Sequence, residues 1–136
     1  MNEAERKFSI ELTEILPKHY DIIKSRFKYA RVDFIILNRN TLKCIHIEHK
    51  QRNINSDQFK TIWIQYTKAK ALITEYNNVI FCCNLKDCFI YLFLTTEILN
   101  LSREINQYGE DVINIPVECF TRDTYYLKKD ILRYLQ

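Results

Sequence analysis

Apolar residues recur at three- and four-residue spacing over residues 3–16. Ala4, Phe8, Leu12, Ile15 and Leu16 fall on one face, which predicts an amphipathic helix closed by Pro17. The period then drops to two. YDIIKSRF (20–27) predicts a short strand, and ARVDFIIL (30–37) predicts another, with Val32, Phe34 and Ile36 on one side. NRNT (38–41) is a polar turn in which asparagine suits left-handed backbone angles. LKCIHIEHK (42–50) is the returning strand of a hairpin. Helical spacing resumes over residues 56–76, with Phe59, Ile62, Trp63, Tyr66, Ala69 and Ile73 as the apolar stripe and Ser56 as N-cap, so a long helix is expected there. NVIFCC (78–83) and CFIYLFL (88–94) are almost continuously apolar, as strands buried on both faces are. The remainder predicts a helix over 96–107, an edge strand in VINIPVECF (112–120) because proline cannot donate to a ladder, and an amphipathic helix in TRDTYYLKKDILRYL (121–135). This order implies an α/β sandwich, a mixed sheet with helices on both faces, in one domain without repeats or linkers.

Composition narrows the functional classes. The chain has 136 residues and is 47% hydrophobic, enough for a substantial core. A single glycine argues against a glycine-cradled phosphate loop. No apolar run approaches the ~20 residues of a membrane span, and MNEAERKF is too charged for a secretory signal, so an intracellular protein, cytoplasmic or nuclear, is expected. The five cysteines are odd in number and form no CxxC pair, which favours buried free thiols over zinc or disulfides. Net charge is only +3, but residues 18–52 hold nine Lys/Arg against three acids, a local +6 that would draw a polyanion to this part of the chain.

That basic stretch contains the unusual chemistry. Alternation puts His46, Glu48 and Lys50 on one face of the returning strand, with Ile45, Ile47 and His49 on the other; Glu48 and Lys50 are about 7 Å apart. Asp33 lies on the neighbouring strand, within reach of Glu48. Two carboxylates beside a lysine repel each other unless something positive intervenes, and a divalent cation is the natural partner. Mg²⁺ takes one or two carboxylates and completes its shell with water and phosphate, and it makes a bound water nucleophilic.

Asp33 followed by Glu48-His49-Lys50 behind an apolar run resembles the PD-(D/E)xK nuclease superfamily, in particular the small archaeal-type Holliday-junction resolvases. The resemblance covers helix, hairpin, helix and strands over residues 3–94, with 95–136 as an extension. It implies a restriction-endonuclease-like three-layer sandwich and a deoxyribonuclease that uses Mg²⁺ or Mn²⁺. Asp33 and Glu48 would be the metal ligands, Lys50 the catalytic lysine, and Glu5 the helical carboxylate, with Glu11 as its rival. Asp33 lacks the proline that precedes it in some relatives, and the Asp-to-Glu gap is slightly long. DNA is the implied partner, and symmetric nicking of a junction implies a homodimer. Lys28, Arg31, Arg39 and Arg52 are candidate backbone contacts; Gln65 and Lys70 are candidates on the second helix. His46 is expected to support the site, His49 to pack beneath a helix, and Trp63 and Tyr66 to be core. The competing readings are a non-catalytic nucleic-acid-binding or assembly protein on the same fold, and an interaction domain whose hairpin charges are simply surface.

Overall fold

The computed structural model describes residues 3–25 and 32–136. The first amphipathic segment forms α1 (Glu3–Ile15), with Phe8 and Leu12 buried one turn apart. β1 (Tyr20–Lys24) pairs antiparallel with β2 (Phe34–Asn38), and β2 pairs antiparallel with β3 (Cys44–Gln51), so the hairpin expected from the alternating pattern is present. Its turn differs in one respect. The left-handed residue is Leu42 (φ 63°), not an asparagine. Asn38 holds the turn through its side chain instead: Oδ1 accepts from the Asn40 N–H at 2.9 Å, and Nδ2 donates to the Leu135 carbonyl at 2.6 Å.

The long helix expected over 56–76 is not formed. Residues Thr61–Gln65 are a strand, β4, and α2 begins only at Tyr66 (Tyr66–Glu75). The spacing of Ile62, Trp63 and Tyr66 fits a helix on paper. But Thr61, Ile62, Trp63 and Ile64 are β-branched or aromatic, and pairing with a later strand decides the outcome. Ile62 and Ile64 are buried at a period of two. Ser56 caps no helix; its N–H and Oγ both donate to the Asp87 carboxylate, tying the loop to a distant turn.

β5 (Val79–Asn84) and β6 (Phe89–Phe93) form as predicted. The helix expected over 96–107 is a 3₁₀ turn at Thr96–Asn100 followed by strand β7 (Arg103–Ile105). β8 (Asp111–Pro116) is not an edge strand: it lies between β4 and β7. Pro116 is its last residue, where the missing donor costs the ladder little. β9 (Thr121–Arg122) and the amphipathic α3 (Thr124–Leu135) complete the chain, with Asp123 capping α3 through the Tyr125 N–H.

β1-β2-β3-β5-β6-β9 make a mixed six-stranded sheet in which β3 and β5 are parallel and the other neighbours antiparallel. Alternation divides its side chains between two cores. Phe34, Ile36, Ile45, Ile47, Ile80 and Cys82 pack under α1 and α3. Val79, Phe81, Cys83, Ile90 and Leu92 pack under α2 and the three-stranded sheet β4-β8-β7. Helices thus lie on both faces, but one outer layer also contains strands. Residues 95–136 contribute to both cores, with Ile113 and Ile115 in one and Leu127, Ile131 and Leu135 in the other. Of the cysteines, Cys82 and Cys83 are buried, and burial pushes the Cys83 thiol up to about 12; Cys44 and Cys88 are half-buried, and Cys119 is exposed. Among the described residues no helix is long and apolar enough to cross a membrane.

Candidate active site

The chain after β3 leaves the central sheet, runs through β4 and α2, and returns as β5 parallel to β3. This crossover covers the face of β3 that carries the polar residues. Glu48, in the middle of β3 and paired with Phe81 of β5, is therefore buried, with only 2% of its side chain exposed. Two ammonium groups meet its Oε1: Lys50 from two residues along β3 and Lys68 from the first turn of α2, each at 3.4 Å. Its Oε2 is buried without a hydrogen-bond partner. Burial pushes the Glu48 carboxyl above its ordinary value and the Asp33 charge adds to this, while the two lysines pull it down without cancelling the rise.

Asp33 stands where β2 enters the sheet. Its N–H donates to the Ile47 carbonyl at 2.9 Å and its carbonyl accepts from the Ser25 N–H at 3.0 Å, so its backbone is held from both sides. Its Oδ2 accepts the His49 N–H at 2.8 Å, extending the β2–β3 ladder with a side chain. Burial raises this carboxyl as well; the His49 hydrogen bond lowers it, and the Glu5 charge raises it further.

Glu5 is on the first turn of α1, close enough for its charge to act on both Asp33 and His49, and it forms an ion pair with Lys24. Glu11 is exposed and borders a separate groove with Lys7, Asn84 and Lys86. His49 packs beneath α1: its ring stacks on Phe8 with centroids 4.8 Å apart, and Nε2 lies 2.9 Å from the Asn84 amide nitrogen. Burial lowers its pKa to about 4. A neutral ring accepting at Nε2 satisfies both observations. His46 stacks on Tyr76 at 4.0 Å, away from the carboxylates, and its Nδ1 is buried without a partner.

The outer candidates are scattered. The Arg52 guanidinium lies 4.0 Å over the Trp63 ring and donates to the Trp63 carbonyl at 3.2 Å, at the border of the cleft. Gln65 borders the same cleft but is exposed and hydrogen-bonded to Glu110. Lys70 points away, near the Tyr66 ring. Arg39 is at the opposite end of the hairpin, donating to the Lys18 carbonyl and paired with Asp21, so it does not flank the site. Lys28 and Arg31 lie outside the described residues. Trp63 and Tyr66 are only half-buried.

Lys68 escaped the sequence reading. A helix taken to start at Ser56 gives the wrong phase for the charged residues of α2. Once the helix starts at Tyr66, Lys68 falls in its first turn beside the fully buried Ala69, against the end of the cleft. Glu48, Lys50, Arg52, Gln65 and Lys68 together border a space of about 150 Å³. Among the described residues no three His, Cys, Asp or Glu side chains are grouped as a metal site. Glu48 lines this space and Asp33 lies near enough for its charge to act on Glu48; a pair of carboxylates would suit a hard cation that completes its shell with water and phosphate. The unpartnered Glu48 Oε2 is the acceptor such a cation would use.

A central mixed sheet with helices on both faces resembles the restriction-endonuclease-like fold. In particular, the fold is similar to that of Hjc, a Holliday junction resolvase from the archaeal hyperthermophile Archaeoglobus fulgidus: the TM-score is 0.57, with 14% sequence identity, over 90% of this chain and 90% of that one. No family model matches the chain, and no curated protein matches it either.

Proposed function

We propose that this protein is a Mg²⁺- or Mn²⁺-dependent deoxyribonuclease, a structure-selective endonuclease such as a Holliday-junction resolvase, with residues 1–136 acting as one nuclease domain. The observation that carries this reading is the buried Glu48. Its carboxyl is held in the core next to a second carboxylate, with one oxygen unpartnered, an arrangement that costs stability and is explained by a cation that binds there. Asp33 and Glu48 would hold the ion, and Glu5 would add its charge from α1. When bound, the ion supplies Lewis-acid polarisation of a phosphoryl oxygen and a more acidic water. Lys50 and Lys68 offer ammonium groups to the charge that develops on a phosphodiester under attack. Arg52 at the cleft border is available to a backbone phosphate. A two-fold dimer would place two such sites on one junction.

The test is cleavage of labelled DNA and RNA by the wild-type protein and Lys50→Ala, on a four-way junction, a linear duplex and single strands, with Mg²⁺, Mn²⁺ or EDTA. Metal-dependent cutting that Lys50→Ala lowers by about a hundredfold or more is expected. Absence of cutting of every substrate by wild type overturns the catalytic reading.

One observation favours a second reading. Lys50 and Lys68 already pair with Glu48 Oε1 without a metal ion, which suits a protein that keeps the fold to bind nucleic acid without turning it over. Such a protein binds the junction but leaves it intact in every metal.

A further inference from the structure

A second concavity, about 540 Å³, lies beside the site, and the nuclease reading leaves it unused. It adjoins the cleft, since the stacked Arg52 and Trp63 line both. The two ends differ in chemistry. Lysines 50 and 68 and Arg52 gather at the cleft end. Away from it, Phe59 and Tyr108 stand on the walls with 54% and 73% of their surface exposed, and the amides of Asn53, Gln107 and Asn114 lie among them. Phe59 comes from the loop before β4 and Tyr108 from the tip of the β7–β8 hairpin, which is closed by Gly109 at φ 76°. That tip is built rather than loose: Asn106 Oδ1 accepts the N–H groups of Tyr108 at 2.9 Å and of Glu110 at 3.0 Å.

Cations at one end, and exposed rings with neutral amides at the other, match the two parts of a nucleotide; Glu104, the carboxylate on this groove, disfavours a phosphate there and leaves the phosphates to the cationic end. Phosphates are drawn to the ammonium and guanidinium groups, bases stack on aromatic faces, and amides meet base edges as both donors and acceptors. A base in a paired duplex has both faces covered by its neighbours and cannot enter. We propose that this groove receives an unpaired stretch of the DNA substrate, its bases stacked on Phe59 and Tyr108 while the adjoining phosphates run past Arg52 into the cleft. The protein then selects DNA in which paired and unpaired segments meet. This rests on the nuclease reading for the identity of the polymer and specifies which part of it is held.

The test uses the full chain in EDTA, so that binding is read without cutting. Anisotropy titrations compare a paired duplex with the same duplex carrying an unpaired flap, and 2-aminopurine in the flap reports stacking. Wild type, Tyr108→Ala, and Phe59→Ala/Tyr108→Ala are compared. Both side chains are exposed, so neither change removes core; Tyr108→Ala alone keeps the test valid if the double variant folds poorly. The expected result is flap binding weakened by about tenfold for each ring removed, unchanged binding to the paired duplex, and 2-aminopurine quenching that is lost with the rings. Equal binding of both DNAs by wild type, or equal loss on both in the variants, overturns the proposal. So does a wild-type dimer that the substitutions convert to a monomer by light scattering, because the rings would then be covered by a second copy. Failure of the nuclease reading shows separately, as four-way junction, duplex and flap DNA all left uncut by wild type in Mn²⁺ while the stacking signal persists.

Discussion

Two residues around Glu48 and Asp33, Lys68 and His49, can each be checked by a substitution of its own. Lys50 and Lys68 share one oxygen of Glu48. Lys68→Met should leave a buried carboxylate with a single partner and lower unfolding free energy by about 1–3 kcal/mol in urea titrations, together with a loss of activity that sequence reading alone would not have anticipated. His49 carries a pH signature. Its pKa is about 4 in the fold against roughly 6.5 in an unfolded chain. Between those values the unfolded state binds a proton that the folded state does not, so stability is lost as pH falls from 6.5 towards 4. The full effect is about 3 kcal/mol. Asp33 and Glu48 act in the opposite sense, since raised carboxyl pKa values favour the fold as pH drops. The His49 contribution is therefore read as a difference: the stability gap between wild type and His49→Gln should narrow between pH 7 and pH 4.5. A gap independent of pH would contradict the buried neutral ring. At this scale the sequence was informative where alternation decides. It put Glu48 and Lys50 on one face and His49 beneath a helix, because a strand has only two sides.

Elements were legible in proportion to how local their cause is. α1 and α3 are amphipathic along their whole length, and β5 and β6 are apolar enough to be buried whatever surrounds them. The segment 56–76 was not legible, since its apolar spacing satisfies two periods over part of its length and the choice is made by β8, fifty residues later. β8 depends on the same distant pairing with β4, and β7 joins the sheet only through its local hairpin with β8. This error moved the phase of α2 and hid Lys68. α1 is tied to the strands of the site through Phe8, which packs at once on Phe34, on His49 and on Phe89. Phe8→Ala should cost about 3–5 kcal/mol and should loosen both the helix that carries Glu5 and the His49 ring beneath it. The expectation is checked by chemical denaturation, with hydrogen exchange at the His49 N–H, which Asp33 holds, rising above the level of amides in β6.

The whole molecule is organised so that a crossover buries one face of β3 and the polar residues go with it. Hydrophobic burial of the surrounding strands holds Glu48 in a place where its charge is disfavoured, and what makes that tolerable is the set of cations gathered there. The amino-acid pattern showed the hairpin and its charges; it could not show how deeply they would be buried, because depth is set by α2, β4 and β8 together. On the proposed function, Glu48 is retained for a metal ion and not for stability. This is tested most directly by melting wild type and Glu48→Gln with EDTA and with saturating Mn²⁺. In EDTA, Glu48→Gln should melt at the same temperature as wild type or higher, since it removes a buried charge. Mn²⁺ should raise the wild-type midpoint, by about 3 kcal/mol of stabilisation at a hundredfold excess over its dissociation constant, and should leave Glu48→Gln unmoved. A wild type indifferent to Mn²⁺, or a variant that gains as much as wild type, would contradict the account.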